Sequence, residues 1–283
     1  MPHVHPAAAE WTKFPVPLTL ILVLTALVYL RGWLRARSTS FNGIRAWRAA
    51  SFLLGLFSIW VAVGSPIAEL DHEYLTVHMI QHLLLMTFAA PLIWLGAPAM
   101  ALLNGLPRRV VQGIVDPLVR WRPVSRLGRA LTQPAFCWIA ATTALVVWHV
   151  PAVLTFGMQS EAWHIVEQAS FFATGLLFWW PVVQLVQPWP SVSRWPVWSM
   201  ILYLFLATLP CDILSGFLVF SDRIAYPVYL TASRQSGLSV LADQQCAGAL
   251  MWTSVTIVYV VAGAILSTRL LSPQGDLQIM EVR

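Results

Sequence analysis

The chain has 283 residues, 58% of them apolar and only 10% charged. Soluble domains carry about 25% charged residues, so a soluble domain is set aside and an all-α, polytopic membrane protein is expected. The net charge of +5 sits on arginines in short connections between apolar runs. No basic stripe faces an aromatic platform, which excludes nucleic acid as a partner.

Three cysteines, Cys137, Cys211 and Cys246, form no Cys-x-x-Cys pair. That argues against a disulfide framework and a thiolate zinc site. The first apolar run has no basic segment ahead of it and no small-residue cleavage site behind it. It therefore reads as a membrane span and not as a removable leader. The 15 tryptophans suit the aromatic belts at the two membrane surfaces.

A crossing helix needs about 20 apolar residues. Seven runs qualify, over 15–33, 46–64, 74–95, 134–150, 163–185, 196–220 and 242–266, in one polytopic domain. Fourteen of the 17 basic residues lie in or beside the first, third and fifth connections and the C-terminal tail. Lys13, Arg223 and Arg234 occupy the other side. The excess marks the cytoplasmic side, so the N-terminus is expected outside and the C-terminus inside. The long connection 106–133 carries Val110, Val111, Ile114, Val115, Leu118 and Val119 between arginines. It reads as a surface amphipathic helix or as an ordinary basic loop.

Taken in chain order, the polar residues of the spans gather in the outer half. His3 and His5 near the N-terminus offer a metal-collecting arm or a plain tail. His72 stands at the rim before the third span. His78 and His82 follow four residues apart, hence on one helix face, and Met86 extends that face one turn deeper. His149 ends the fourth span. His164 opens the fifth, with Glu167 one turn on. Asp212 follows Pro210 in the sixth, where a break in the helix is expected. Asp243 opens the seventh, with Met251 deeper.

An intramembrane histidine or carboxylate needs a metal, a proton or a partner. Imidazole suits copper, and nearby sulfur favours Cu(I). His78 and His82 are the first candidate ligands, His149 the third, and His164 or Met86 a fourth. Glu167, Asp243 and Asp212 are candidates for orienting the imidazoles from behind. Two alternatives stay open. One is a haem with axial His82 and His149; the other is metal-free hydrogen bonding between helices. A retinal Schiff base is excluded, because the single lysine, Lys13, precedes the first span. No His-Glu-x-x-His motif and no Gly-Lys-Ser/Thr phosphate loop occur.

Several stretches together resemble the polytopic CtaG-type cytochrome c oxidase assembly factors. They are His78-Met79-Ile80-Gln81-His82, the run from Pro91 through Trp94 and Gly96 to Pro98, and Trp148-His149-Val150-Pro151. They continue with His164, Glu167 and Phe178-Trp179-Trp180-Pro181, then Asp243-Gln244-Gln245, Gly248 and Met251-Trp252. The resemblance implies a non-enzymatic role in maturing a haem-copper oxidase, with copper as cargo. It also implies a multi-pass location in the bacterial inner membrane and oxidase subunits as partners; a periplasmic copper donor is a further candidate partner. Gln168 departs from the pattern, where a histidine beside Glu167 is expected.

Overall fold

Proline, glycine and the apolar runs between them set the helix boundaries. The computed structural model describes residues 15–39, 45–186, 195–231 and 237–271. Among these residues every regular element is helical. The first two long helices are α1, Val16–Thr39, and α2, Ala46–Gly64. Pro17 sits in the first turn of α1, where its missing N–H costs nothing. A tight 3₁₀ turn, Pro66–His72, then leads into α3, Leu75–Leu95.

The third helix is not regular. Its turns widen to π geometry over Leu83–Ala89, directly after His82. Pro91 supplies a physical cause. It has no N–H to return to Thr87 or Met86, and its ring crowds the preceding turn. The indole of Trp179 donates to the Met86 carbonyl instead, at 3.1 Å. Hydrogen bonds from Ser51 Oγ to Leu92 O (2.8 Å) and from Tyr29 to Gly96 O (2.7 Å) tie the end of α3 to the first two helices.

Ala97 then takes a left-handed backbone conformation, φ 50°, and turns the chain into α4, Pro98–Gly105. This helix, absent from the sequence reading, packs on α1 through Gly32 and Gly105. A Cβ on either would collide with the other helix's backbone. The connection beyond is helical too, as α5 over 108–120 and α6, Arg122–Leu131. No side chain in either is buried, and Ile114, Leu118, Val119, Trp121 and Leu127 are exposed.

The fourth apolar run forms α7, Pro134–Trp148, of 15 residues. At 1.5 Å per residue it is about 22 Å long, short of the hydrocarbon thickness of about 30 Å. It meets α6 at a bend of 68°. Among the described residues, six helices are thus long and apolar enough to cross a membrane, or seven if that bent pair counts as one span. The chain is a multi-pass membrane protein. A short helix, α8, Pro151–Met158, follows His149.

The remaining long helices are α9, Glu161–Val186, α10, Val197–Phe220, and α11, Val240–Leu270. The sixth run was expected to break at Pro210, yet α10 runs through it. Apolar side chains such as Leu24, Ile213, Phe217, Ile257 and Val260 are exposed on the outer faces, as hydrocarbon requires.

One face of α9 is buried at His164, Glu167, Gln168, Phe171, Gly175, Phe178 and Val182, the repeat of a helix with one inward stripe. Gly175 lets this stripe reach α3: a Cβ there would lie 2.8 Å from Met86 Cα. Small residues at such crossings let backbones approach closely. Gly175→Val is expected to force α3 from α9 at a cost of about 1–3 kcal/mol. A lowered melting temperature in detergent is the measurement; an unchanged one would refute the crossing.

Candidate metal centre

His78 and His82 lie one turn apart on α3 and face α9. Glu167 reaches between them from α9. Its Oε1 is 3.3 Å from His78 Nε2 and 3.5 Å from His82 Nε2. The side chains of His78 and Glu167 are fully buried and that of His82 is 7% exposed. The three donor atoms lie within 4.8 Å of one another.

These separations exceed the 2.7–3.2 Å usual for an N–H···O hydrogen bond. Two ligands bound tetrahedrally at about 2.0–2.1 Å to one ion stand about 3.3–3.4 Å apart. Among the described residues, neither carboxylate oxygen of Glu167 has a hydrogen-bond partner, and nor do the ring nitrogens of His78 and His82. Packing holds the rings. His78 stands edge-on to His82 at 4.3 Å between centroids, and His82 stacks on Phe171 at 4.0 Å. Among the described residues, no lysine or arginine forms an ion pair with Glu167. Its charge is left to an imidazolium or to a cation. The donor set, two imidazoles and a carboxylate, fits a transition-metal ion.

The structure separates the other candidates. His149 lies across Phe171 from His82, its ring 6.5 Å from the phenyl ring. Its Nδ1 is 2.7 Å from Leu145 O, and the Tyr226 hydroxyl donates to the His149 carbonyl at 3.1 Å. Nε2 of His149 is buried without a hydrogen-bond partner among the described residues. A cavity of about 40 Å³ lies between His82 and His149, lined also by Met86, Cys211, Met251 and Tyr259. The sulfur-bearing side chains therefore gather on this side of His82, and no cysteine belongs to the His78–His82–Glu167 triad.

His164 points the other way. Its Nε2 is 3.4 Å from Asp71 Oδ2, and its ring stacks on His78 at 5.6 Å. Asp71, in the 3₁₀ turn, is buried and also lies 3.7 Å from His72. Sequence reasoning did not single out Asp71. The Asp-His pair ahead of a helix bearing two more histidines was the available signal.

Asp243 and Asp212 join neither cluster. The carboxylate of Asp243 accepts hydrogen bonds from the backbone N–H groups of Leu75 (2.8 Å) and Thr76 (3.1 Å). It thereby caps the start of α3 from α11, the role an N-cap side chain plays locally. Gln168 lies 3.3 Å from His164 Nε2 and 3.4 Å from Gln81 Oε1. Gly157 of α8 closes the far side of Glu167; a Cβ there would be 3.3 Å from Oε2. His3 and His5 lie outside the described residues.

Residues 27–272 match the family described as cytochrome c oxidase caa3 assembly factor, Caa3_CtaG. The chain belongs to that family. Among curated proteins it is 25% identical over 253 residues to uncharacterised proteins of Mycobacterium bovis and Mycobacterium tuberculosis. The alignment covers 86% of this chain and 37% of each relative. An uncharacterised protein of Mycobacterium leprae is 22% identical over 244 residues, covering 84% of this chain and 36% of the relative. The chain thus spans little more than a third of the length of these relatives. No solved structure matches it.

The cap on α3 gives a test of how the centre is held. Asp243→Ala is expected to cost about 1.5–3 kcal/mol through two lost charge-assisted bonds. Thermal unfolding measures this, and Asp243→Asn should recover part of the loss. Equal stability of all three proteins would contradict the capping role.

Proposed function

We propose that this chain assists assembly of a haem-copper cytochrome c oxidase by holding copper on His78, His82 and Glu167 and releasing it to an oxidase subunit. The observation that carries the reading is the convergence of two buried imidazole nitrogens on one carboxylate oxygen, with no lysine or arginine paired to it among the described residues. Nitrogen and oxygen sites rank Cu(II) above the other first-row divalent ions. The carboxylate donor favours Cu(II) at this triad over the Cu(I) expected from nearby sulfur. Met86, Cys211 and Met251 border the cavity beyond His82, where a softer site for Cu(I) has its donors.

The arginine distribution supports seven crossings with the triad toward the outer side, and the family is consistent with a bacterial inner membrane. On this reading α7 makes the fourth crossing, and α6, with Arg122, Arg126 and Arg129, lies at the cytoplasmic face. Copper reaches the oxidase from that side. A periplasmic donor would supply it, and the oxidase subunit would take it up. The role is that of a metallochaperone and not of an enzyme. The cavity between His82 and His149, about 40 Å³, has room for roughly three waters at 10–15 Å³ each.

Protein expressed with copper and haem precursor, then freed of loosely held ions, is expected to retain about one copper per chain. It should show no Soret band. His78→Ala combined with His82→Ala should abolish retention and lower oxidase activity in cells. Glu167→Gln should weaken binding by about tenfold or more. Mass-spectrometric metal analysis and a visible spectrum decide the matter. A Soret band lost on His82→Ala or His149→Ala would replace copper with haem. Unchanged copper and oxidase activity in the double variant would sink the proposal and leave an assembly scaffold.

A further inference from the structure

A second cluster of ligand-type residues lies one stacked ring away from the triad. It is built from the 3₁₀ turn Pro66–His72 and the first turn of α9. Asp71 turns its two carboxylate oxygens toward two imidazoles. Oδ1 is 3.7 Å from His72 Nε2, and Oδ2 is 3.4 Å from His164 Nε2. The three residues offer donor atoms that all lie within 4.8 Å of one another. Again the separations are longer than a good N–H···O hydrogen bond. Among the described residues, no lysine or arginine forms an ion pair with Asp71.

Exposure grades across this cluster. The side chain of His72 is 57% exposed, that of His164 11% and that of Asp71 5%. His164 then meets fully buried His78 ring to ring, 5.6 Å between centroids and 13° between planes. The turn is fixed to α3 by Gln81, whose amide donates to Ala68 O at 3.0 Å. Asp71 is therefore held in place and is not a passing loop charge. A buried carboxylate is costly unless a cation or donor compensates it.

We propose that Asp71, His72 and His164 form an entry site for a divalent transition-metal ion, Cu(II), and that this site loads the buried triad. The inference rests on the reading of His78, His82 and Glu167 as a copper site. Loading is a ligand exchange. The bonds to Asp71, His72 and His164 break as bonds to His78, His82 and Glu167 form. The ion keeps its charge, and no electron moves. The exposed His72 gives the entry site one readily released ligand, so it binds more weakly and exchanges faster than the triad.

The test uses the full chain in detergent with His3→Ala and His5→Ala, which removes a competing copper ligand pair. Cu(II) alone is titrated in, followed by electron paramagnetic resonance and by the stopped-flow rate of filling the retained site. Variants are His72→Ala, Asp71→Asn and the His78→Ala/His82→Ala pair. His72 is exposed, so its replacement leaves the core intact. The parent is expected to bind about two Cu(II) ions with distinct signals. His72→Ala and Asp71→Asn should each lose the weaker signal and fill the retained site about tenfold or more slowly.

If both rim variants bind and fill like the parent while the double variant loses its copper, the entry site is wrong and the triad stands. If the rim variants lose the weaker signal without slowing, the residues bind copper but loading is refuted. If the double variant keeps all its copper, the triad reading fails, and loading of that triad fails with it.

Discussion

Glu167 is a carboxylate carried on a membrane-crossing helix, and the arrangement around it follows from what that requires. A charged side chain at the centre of a bilayer costs about 2.5–3.5 kcal/mol even on lenient scales. The group persists when something compensates it. Here two imidazoles face the carboxylate from one side of α3, and a glycine on α8 leaves room against its other oxygen. Neutral imidazoles bring dipoles but no charge. The full balance needs a proton on the cluster or a cation within it, and the separations suit a shared ion. The same account holds for Asp71 at the rim, where the two imidazoles are His72 and His164.

The geometry of that centre depends on how α3 and α9 are joined. Both helices contain a proline, Pro91 in one and Pro181 in the other. Each proline withdraws a backbone donor, and aromatic side chains bond to carbonyls close by. Trp179 donates to Met86 O, Trp94 to Leu176 O at 2.8 Å and Tyr203 to Phe178 O at 3.0 Å. These bonds cross between helices, so the irregular turns also join the bundle. Gly175 then sets how near the two backbones come. The imidazoles and Glu167 meet because this crossing is tight and its carbonyls are satisfied. Asp243 anchors the N-terminal end of α3 from α11 and fixes where along the bundle His78 begins.

Family membership and chemistry address different questions. The match over residues 27–272 places the chain among caa3 oxidase assembly factors. The donor atoms give that assignment a chemical content. Two imidazole-carboxylate groups follow one another from the rim inward, and a cavity bordered by sulfur lies beyond His82. Such a series grades from exposed to buried, the order expected of a site that receives an ion before holding it. The alignment covers little more than a third of the length of the curated relatives.

The sequence by itself determined the membrane class, most helix positions and the shared face of His78 and His82. These are local properties: apolar length, charge content and the 3.6-residue turn. It also marked Glu167, because His164 and Glu167 stand three apart on one stripe. It did not single out Asp71, and it placed Asp243 behind an imidazole where the structure makes it a helix cap. It did not find α4, whose docking depends on Gly32 and Gly105 meeting across 73 residues of chain. The length of the fourth run was legible, but the bend at its start was not. Only the tertiary structure decided which histidines pair with which carboxylate. Hydropathy and spacing fix depth and face along one helix, whereas pairing depends on how closely separate helices pack and how they are rotated.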